Sequence, residues 1–242
     1  FFGDVLGNVY AVDALTGVEL WRARPEEHRA ATITGSVALW GQMLYVPLSS
    51  LEVGSAENPD YACCTFRGSV VALDVATGAK KWQAYTVQKD AQVVGRTAKG
   101  VDILAPSGAP VWGSPTVDEK RGLLYFGSGE NYTSPADENS DAVFAVDLLT
   151  GQRRWSRQIN FRDAWNNSCM YKAHPNCPAE RGPDEDLATS VMIVDLDRGR
   201  QIRHPQPDVV QRRPGGLWLL RRGARLHQVD LARVLAFTPA QD

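Results

Sequence analysis

The sequence predicts an all-β fold of repeated four-stranded sheets, and the main support is an internal repeat. Residues 11–21 read AVDALTGVELW, residues 72–82 read ALDVATGAKKW and residues 145–155 read AVDLLTGQRRW, so all three share A-x-D-x-x-T-G-x-x-x-W. The copies start 61 and 73 residues apart, which leaves room for two further strands in each unit. Four strands in a unit of this size are typical of one blade of a β-propeller.

Each copy of the repeat predicts a β-hairpin. Short apolar or β-branched runs at 9–12, 70–73 and 143–146 form the first strand. In D-x-x-T-G the Asp and Thr side chains can bond nearby backbone groups and Gly accepts a positive φ angle, which predicts a tight turn. We expect the Trp that ends each copy to pack between neighbouring sheets, with its N–H bonded to a backbone carbonyl.

The segments between the copies supply the other strands. Residues 35–49 (GSVALWGQMLYVPLS) and 113–129 (GSPTVDEKRGLLYFGSG) each read as an apolar run, a turn and a second apolar run. A further unit begins at 190 with SVMIVDLDRG, but no T-G-x-x-x-W follows it. Residues 1–197 therefore predict about three to four blades of a larger ring.

Composition excludes several other classes of protein. With 22% charged and 43% hydrophobic residues and a net charge of −2, the chain of 242 residues favours a folded, soluble protein. It contains no run of the roughly 18 to 20 uncharged apolar residues that a membrane span needs. The balanced charge gives no support for nucleic-acid binding.

Residues 198–242 do not follow the repeat. They hold nine of the twenty arginines and none of the six lysines. One interpretation is a basic interaction tail. The interpretation we favour is that this segment is not native sequence and follows a shift of reading frame.

The four cysteines form two close pairs, Cys63 with Cys64 and Cys169 with Cys177. An even number in close pairs is compatible with two disulfides and an oxidising compartment, and the alternative is four free thiols. The spacings do not match those of zinc ligands.

The repeat resembles the tryptophan-docking motif of the PQQ-dependent quinoprotein alcohol dehydrogenases, which are eight-bladed propellers. The resemblance covers about residues 1–197. The stretches VPLSSLEVGSAENPDYACCTFRGSVVALD, VWGSPTVDEKRGLLYFGSGENY and DAWNNSC are most similar to the polyvinyl-alcohol dehydrogenase branch. The repeat alone also resembles PQQ-like propellers that bind no cofactor and act as binding scaffolds.

The resemblance implies that residues near the propeller axis bind PQQ. Thr34 and Ser49 or Ser50 would bond the carboxylates of the cofactor, and Arg67 is close enough in sequence to pair with one of them. Trp112 precedes the strand that leads into F-G-S-G and would stack on the quinone, because a planar indole suits a planar ring. The alternative for Trp112 is ordinary core packing.

The resemblance also implies a calcium ion beside the quinone. Glu52 would be one ligand, since a hard dication prefers carboxylate oxygens, and otherwise it is an acid in an exposed loop. For a second ligand, Glu130 holds the matching position and Asn131 the matching chemistry, so both remain candidates. Cys63 and Cys64 resemble the family's vicinal disulfide over PQQ, although they lie in a loop inserted after Glu52 rather than one blade earlier.

The family's catalytic base comes from a D-x-W-D stretch, which reads Asp163-Ala164-Trp165-Asn166 here. Asn166 stands at the position of the base, and an amide cannot act as a general base. Asp163 is the nearest carboxylate and becomes the candidate, with turn capping as the alternative. Asp184 and Asp186, in G-P-D-E-D, are interpreted as turn residues.

The resemblance implies a fragment of a periplasmic enzyme that oxidises secondary or polymeric alcohols with PQQ and calcium and passes electrons to cytochrome c. The alternative is a non-catalytic propeller scaffold. A ring of eight blades needs roughly 480 residues, so we expect the isolated chain to expose strand edges and to aggregate.

Overall fold

The computed structural model describes residues 1–194 and, beyond them, the backbone of three strands within the Arg-rich tail. The strands are β1 (Phe2–Gly3), β2 (Val9–Val12), β3 (Glu19–Ala23), β4 (Ala31–Thr32), β5 (Ala38–Trp40), β6 (Met43–Ser50), β7 (Ser69–Asp74), β8 (Lys80–Tyr85), β9 (Gln92–Arg96), β10 (Asp102–Ala105), β11 (Thr116–Asp118), β12 (Leu123–Gly127), β13 (Ala142–Asp147), β14 (Arg153–Gln158), β15 (Met192–Val194), β16 (Asp208–Arg212), β17 (Trp218–Arg222) and β18 (Arg225–Val229). The helical segments are a single turn, α1 (Glu52–Ser55), and two 3-10 turns, Glu119–Arg121 and Asn167–Met170.

The strands form successive antiparallel sheets in chain order. The first is β1-β2-β3, the second is β6-β7-β8 with both β4 and β5 paired to β6, the third is β11-β12-β13-β14 and the fourth is β15-β16-β17-β18. A separate hairpin, β9-β10, is inserted between the second and third sheets. This succession of sheets confirms the predicted all-β, blade-like fold.

The repeated motif forms the predicted hairpin in each of its three copies, β2-β3, β7-β8 and β13-β14. In the first copy, Asp13 Oδ1 accepts hydrogen bonds from the backbone N–H groups of Leu15 and Thr16 and from the Thr16 hydroxyl, at 2.8–3.0 Å. The same bonds recur in the other two copies. The turn glycines have φ angles of 69–72°.

The motif tryptophans join one sheet to the next, as expected. Trp21 lies against the turn glycine Gly78 of the second sheet, and Trp82 lies against Gly151 of the third. The Trp21 indole N–H donates to the Val75 carbonyl at 2.9 Å, which confirms the predicted bond. For Trp82 the prediction is wrong: its N–H has no partner among the described residues.

A different side chain donates to the carbonyl that the Trp82 indole was expected to reach. The carbonyl that corresponds to Val75 in the third sheet is that of Leu148, and the Tyr45 hydroxyl already donates to it at 3.0 Å. The core lies between the sheets, because β6 buries Leu44 and Val46 toward the first sheet and Tyr45 toward the third. Each inner sheet is therefore covered on both faces.

In the last sheet, β15 pairs with β16, and the tail strands β16, β17 and β18 pair with one another in chain order. The boundary at residue 198 and most of the tail lie outside the described residues, so a foreign origin of 198–242 stays a prediction. Among the described residues, no helix has the length and apolar character of a membrane span.

Candidate active site

Glycines bring three segments together at one end of the sheets. A Cβ placed on Gly35 would lie 2.9 Å from backbone atoms of Trp112 and Gly113, and one placed on Gly113 would lie 2.7 Å from the Ala188 carbonyl. Only glycine allows backbones to approach so closely. Thr34 and Trp112, both predicted cofactor residues, are consequently exposed on adjacent segments.

Trp112 is held in place by a carboxylate from the third of these segments. Its exposed fraction is 37%, and its indole hydrogen-bonds the Asp186 side chain. Asp186 Oδ1 also accepts the backbone N–H of Glu130 at 3.0 Å. Asp186 thus links an exposed aromatic ring to the segment that carries Glu130.

Three carboxylates gather beside this ring. Glu130, Asp184 and Asp186 each offer an oxygen within 4.8 Å of the others. Glu130 is only 4% exposed, and its Oε2 accepts no hydrogen bond from a described donor, although the protonated side chain can hydrogen-bond Asp186. A buried carboxylate oxygen that no N–H or hydroxyl group satisfies, within a group of carboxylates, is suited to a hard cation such as Ca²⁺ or a lanthanide ion. We call these three residues the carboxylate group.

The carboxylate group is electrostatically strained without a cation. Burial, and then the charge of Asp186, raise the pKa of Glu130 well above its usual range. Burial, followed by Asp186 and Asp163, raises the pKa of Asp184 to about 6. The pKa of Asp186 is also raised by burial, against the hydrogen bonds that it accepts from Glu130 and Trp112. A bound cation would favour the ionised forms.

The family of the chain is shown by the segment that carries most of this site. Residues 49–170 match the family model of the PQQ glucose/ethanol/alcohol dehydrogenase β-propeller domain. The chain belongs to this PQQ-dependent dehydrogenase family. The match includes Trp112 and Glu130 and ends before Asp184 and Asp186.

Individual relatives agree with this family. A polyvinylalcohol dehydrogenase of Sphingopyxis sp. (strain 113P3) is 37% identical over 203 residues, which are 83% of this chain and 31% of that protein. The solved quinohemoprotein alcohol dehydrogenase ADHIIG from Pseudomonas putida HK5 matches 94% of the chain and 32% of its own, with a TM-score of 0.63 and 20% identity. The solved structure of a europium-containing methanol dehydrogenase matches 94% of this chain and 39% of its own chain, with a TM-score of 0.62 and 21% sequence identity. The two structures support the fold alone, and the chain spans about a third of its curated relative.

Asp163 lies beneath the carboxylate group of this PQQ-family chain. It is fully buried, and its carboxylate oxygens accept the backbone N–H groups of Asp184 and Glu185 at 3.3 and 3.1 Å. Its carbonyl accepts the Asn131 N–H at 3.0 Å. This geometry favours a positioning role over the predicted role of base, which stays a prediction.

Replacing Asp163 by asparagine separates the two roles. An amide would set its NH₂ against a backbone N–H and shift the 184–186 segment, so we expect metal affinity to fall by about 10-fold or more. Calorimetric metal titration of the protein measures this, with the exposed Asp60→Asn as the control. Unchanged metal affinity together with lost alcohol oxidation would instead assign Asp163 as the base.

The side chains of Asn131 and Asn166 are occupied by the protein itself. Asn131 donates to the Ser107 carbonyl and accepts the Asp137 N–H, both at 2.8 Å. Asn166 donates to the carbonyls of Tyr132 and Asn176, while its oxygen accepts the Ser168 N–H and hydroxyl. Of the two candidates for the second metal ligand, the geometry therefore favours Glu130 over Asn131.

Glu52 is outside the carboxylate group and holds an inserted loop. Its buried carboxylate accepts the Tyr61 hydroxyl at 2.8 Å and the Phe66 N–H at 2.7 Å, and it also bonds Thr65. Burial opposes ionisation, but bonds from His28, Phe66, Thr65 and Tyr61 lower the pKa of Glu52. The predicted metal ligands are thus not gathered into one group.

Ser50 lies between Glu52 and the residues that follow Glu130. Its hydroxyl accepts the Glu52 N–H at 2.9 Å, and its carbonyl accepts the Tyr132 hydroxyl at 3.4 Å. Ser49 is buried and pairs with Thr32 of β4. The described contacts of the two serines are thus with Glu52, Tyr132 and β4, and not with the carboxylate group.

Both cysteine pairs form disulfides. Cys63 and Cys64 are joined by a cis peptide and are buried in the core that also contains Phe66 and Tyr132. The Cys63 carbonyl accepts the Leu104 N–H of β10 at 2.7 Å. The vicinal disulfide therefore anchors the β9-β10 hairpin, and its role over the cofactor stays a prediction.

The described side-chain contacts of Arg67 are with the end of β8 and the segment that follows it. It pairs with Asp90 at 2.8 Å and covers the Tyr85 ring at 4.1 Å. These partners satisfy its charge, and its contact with a cofactor stays a prediction.

Asp184 and Asp186 are the site residues that the sequence analysis missed. Their interpretation as turn residues is incomplete: Asp184 has a φ angle of 59°, as a turn residue can, but both carboxylates also join Glu130. A signal was present, because two acids separated by one residue precede the first strand of the next unit. Equivalent segments of the earlier units carry Thr34 and Trp112.

Proposed function

We propose that the chain is part of a PQQ- and metal-dependent dehydrogenase that oxidises secondary or polymeric alcohols. The observation that carries this proposal is the gathering of the buried Glu130 carboxylate with two aspartates, one of which hydrogen-bonds the exposed Trp112. Membership of the PQQ family and the similarity to a polyvinylalcohol dehydrogenase support the reaction and its substrate class.

The residues of the site fit both absent groups. Glu130 and Asp186 would hold the metal, which we propose to be Ca²⁺ or a lanthanide ion because all the ligands are hard oxygens. Trp112 offers an indole face to a planar cofactor, and Thr34 offers a hydroxyl on the adjacent segment. When bound, PQQ supplies the redox centre that accepts the hydride of the alcohol. Ser49, Ser50, Arg67 and the Cys63–Cys64 disulfide are further proposed cofactor contacts, on the basis of the family resemblance.

Asp184 is the residue that we propose to receive the hydroxyl proton. It is the exposed member of the carboxylate group, whereas Asp163 is buried beneath it. Its carboxylate is exposed beside the proposed metal ligands, where the hydroxyl group of an alcohol could reach it. Asp184 would orient the alcohol by accepting its O–H and then hold the proton.

The same proposal assigns the electron acceptor and the compartment. Electrons leave to a cytochrome c, and the protein works in the periplasm. The two disulfides support an oxidising compartment.

Reconstitution of the full-length protein tests this function. Micromolar PQQ with Ca²⁺, or with a lanthanide ion, is added, and dye reduction is followed with a secondary alcohol and with poly(vinyl alcohol). We expect reduction that requires PQQ, metal and alcohol together. Absence of PQQ binding would instead support the scaffold function.

A further inference from the structure

A pocket of about 460 Å³ opens between the inserted β9-β10 hairpin and the loop before β13. Its lining has an aliphatic part, called the wall here, and a polar part, called the rim and back. The wall consists of Val94, Ala105, Pro106, Pro135 and Ala136. The rim and back consist of Gln88, Lys89, Asp137, Glu138, Asn139 and Arg153. No aromatic ring lines the pocket, so it is not suited to a planar ligand.

Hydrogen bonds hold Arg153 in place at the back of the pocket. The Arg153 guanidinium donates to Asn139 Oδ1 at 3.0 Å and to the carbonyls of Tyr85 and Thr86 at 2.8 and 2.6 Å. The hairpin is fixed at the opposite side, since the Leu104 carbonyl accepts the Thr133 hydroxyl at 2.6 Å. The pocket therefore needs little reorganisation to bind a ligand.

The pocket is next to the candidate active site along the chain and in space. Ala105 and Pro106 lead to Ala109, whose N–H donates to the Glu130 carbonyl at 2.6 Å. Asn131 bonds the Ser107 carbonyl on one side and the Asp137 N–H on the other. Asn131, which directly follows Glu130, is thus hydrogen-bonded to both chain segments that line the pocket.

We propose that this pocket binds a second stretch of a polymeric alcohol while one carbinol of the same chain reacts. The inference rests on the proposed function. Methylene groups would cover the aliphatic wall, and hydroxyl groups on alternate carbons would bond the rim. The rim carries Lys89 as well as Asp137 and Glu138, which suits a neutral polyol better than a charged partner. A second contact on the same molecule raises its effective concentration at the reacting site.

Two valines of β9 provide a matched test. Val93 and Val94 are 53% and 51% exposed, but only Val94 lines the pocket. In the full-length protein we expect Val94→Asp to lower the ratio of kcat/KM for poly(vinyl alcohol) to that for 2-butanol by about 10-fold. Val93→Asp should leave this ratio unchanged. Binding of the polymer to each variant is measured separately by sedimentation, and equal thermal midpoints verify folding.

The outcomes distinguish this inference from the proposed function. Polymer binding that Val94→Asp weakens, in a protein that oxidises neither alcohol, would support the pocket and reject the function. Oxidation of the polymer with equal ratios in both variants would reject the pocket and support the function. An effect of Val94→Asp on cytochrome c reduction alone would also overturn the inference, because the surface would then contact the acceptor protein.

Discussion

Replacing Glu130 by glutamine should lower the metal affinity of the full-length protein by at least about 100-fold, since the loss of a residue that merely supports a ligand already costs about 10- to 100-fold. The change removes one negative charge from the carboxylate group and leaves the side-chain volume nearly the same. Alcohol oxidation should fall with the metal affinity, and excess metal should restore part of it. Titration calorimetry with Ca²⁺ and with Eu³⁺ provides the affinities, and the exposed Glu119→Gln is the control.

The same substitution should stabilise the metal-free protein. Burial, and then the charge of Asp186, raise the pKa of Glu130 there, so folding favours the protonated form of this side chain. The neutral amide avoids the free-energy cost of burying or protonating the carboxylate at neutral pH. Urea unfolding in EDTA should give a larger free energy of unfolding for Glu130→Gln than for the unsubstituted protein. A smaller value, with unchanged metal affinity, would make Glu130 an ordinary structural acid.

Replacing Gly78 by alanine should destabilise the fold much more than replacing Gly122. Both glycines have positive φ angles, 72° and 66°. Alanine costs about 1–2 kcal/mol in this region of backbone space. At Gly78 the new Cβ would also lie 2.8 Å from the Trp21 ring, whereas no atom lies within 4 Å at Gly122. Displacing the indole should add about 1–3 kcal/mol.

Urea unfolding of the two variants measures this difference. Gly151→Ala, where the Cβ would lie 2.5 Å from the Trp82 ring, should behave like Gly78→Ala. Equal decreases in the free energy of unfolding for Gly78→Ala and Gly122→Ala would mean that the motif glycine is needed only for the turn conformation. Packing of the tryptophan between sheets would then contribute little to stability.

Local chemistry explains why the fold was predictable from sequence. The bonds of Asp13, and of the equivalent aspartates, span two or three residues, so the D-x-x-T-G turn can be read directly. The partner of Trp82 was not predictable in this way. The equivalent carbonyl accepts the hydroxyl of Tyr45, which lies on another strand.

The candidate site was predictable only in part. Trp112 and Glu130 stand in recognisable motifs, but Asp186 lies 56 residues beyond Glu130 and reaches its backbone through the fold. Glu52 shows the opposite case. A loop inserted after it supplies bonds from Tyr61, Thr65 and Phe66, and these satisfy a carboxylate that the motif assigns to a metal.

Anomalous diffraction from crystals of the full-length protein with PQQ and Eu³⁺ would locate the metal directly. We expect a europium peak about 2.3–2.6 Å from oxygens of Glu130 and Asp186, with the cofactor stacked on Trp112. A peak at Glu52 without these two carboxylates, or a cofactor away from Trp112, would contradict the assignment of the active site.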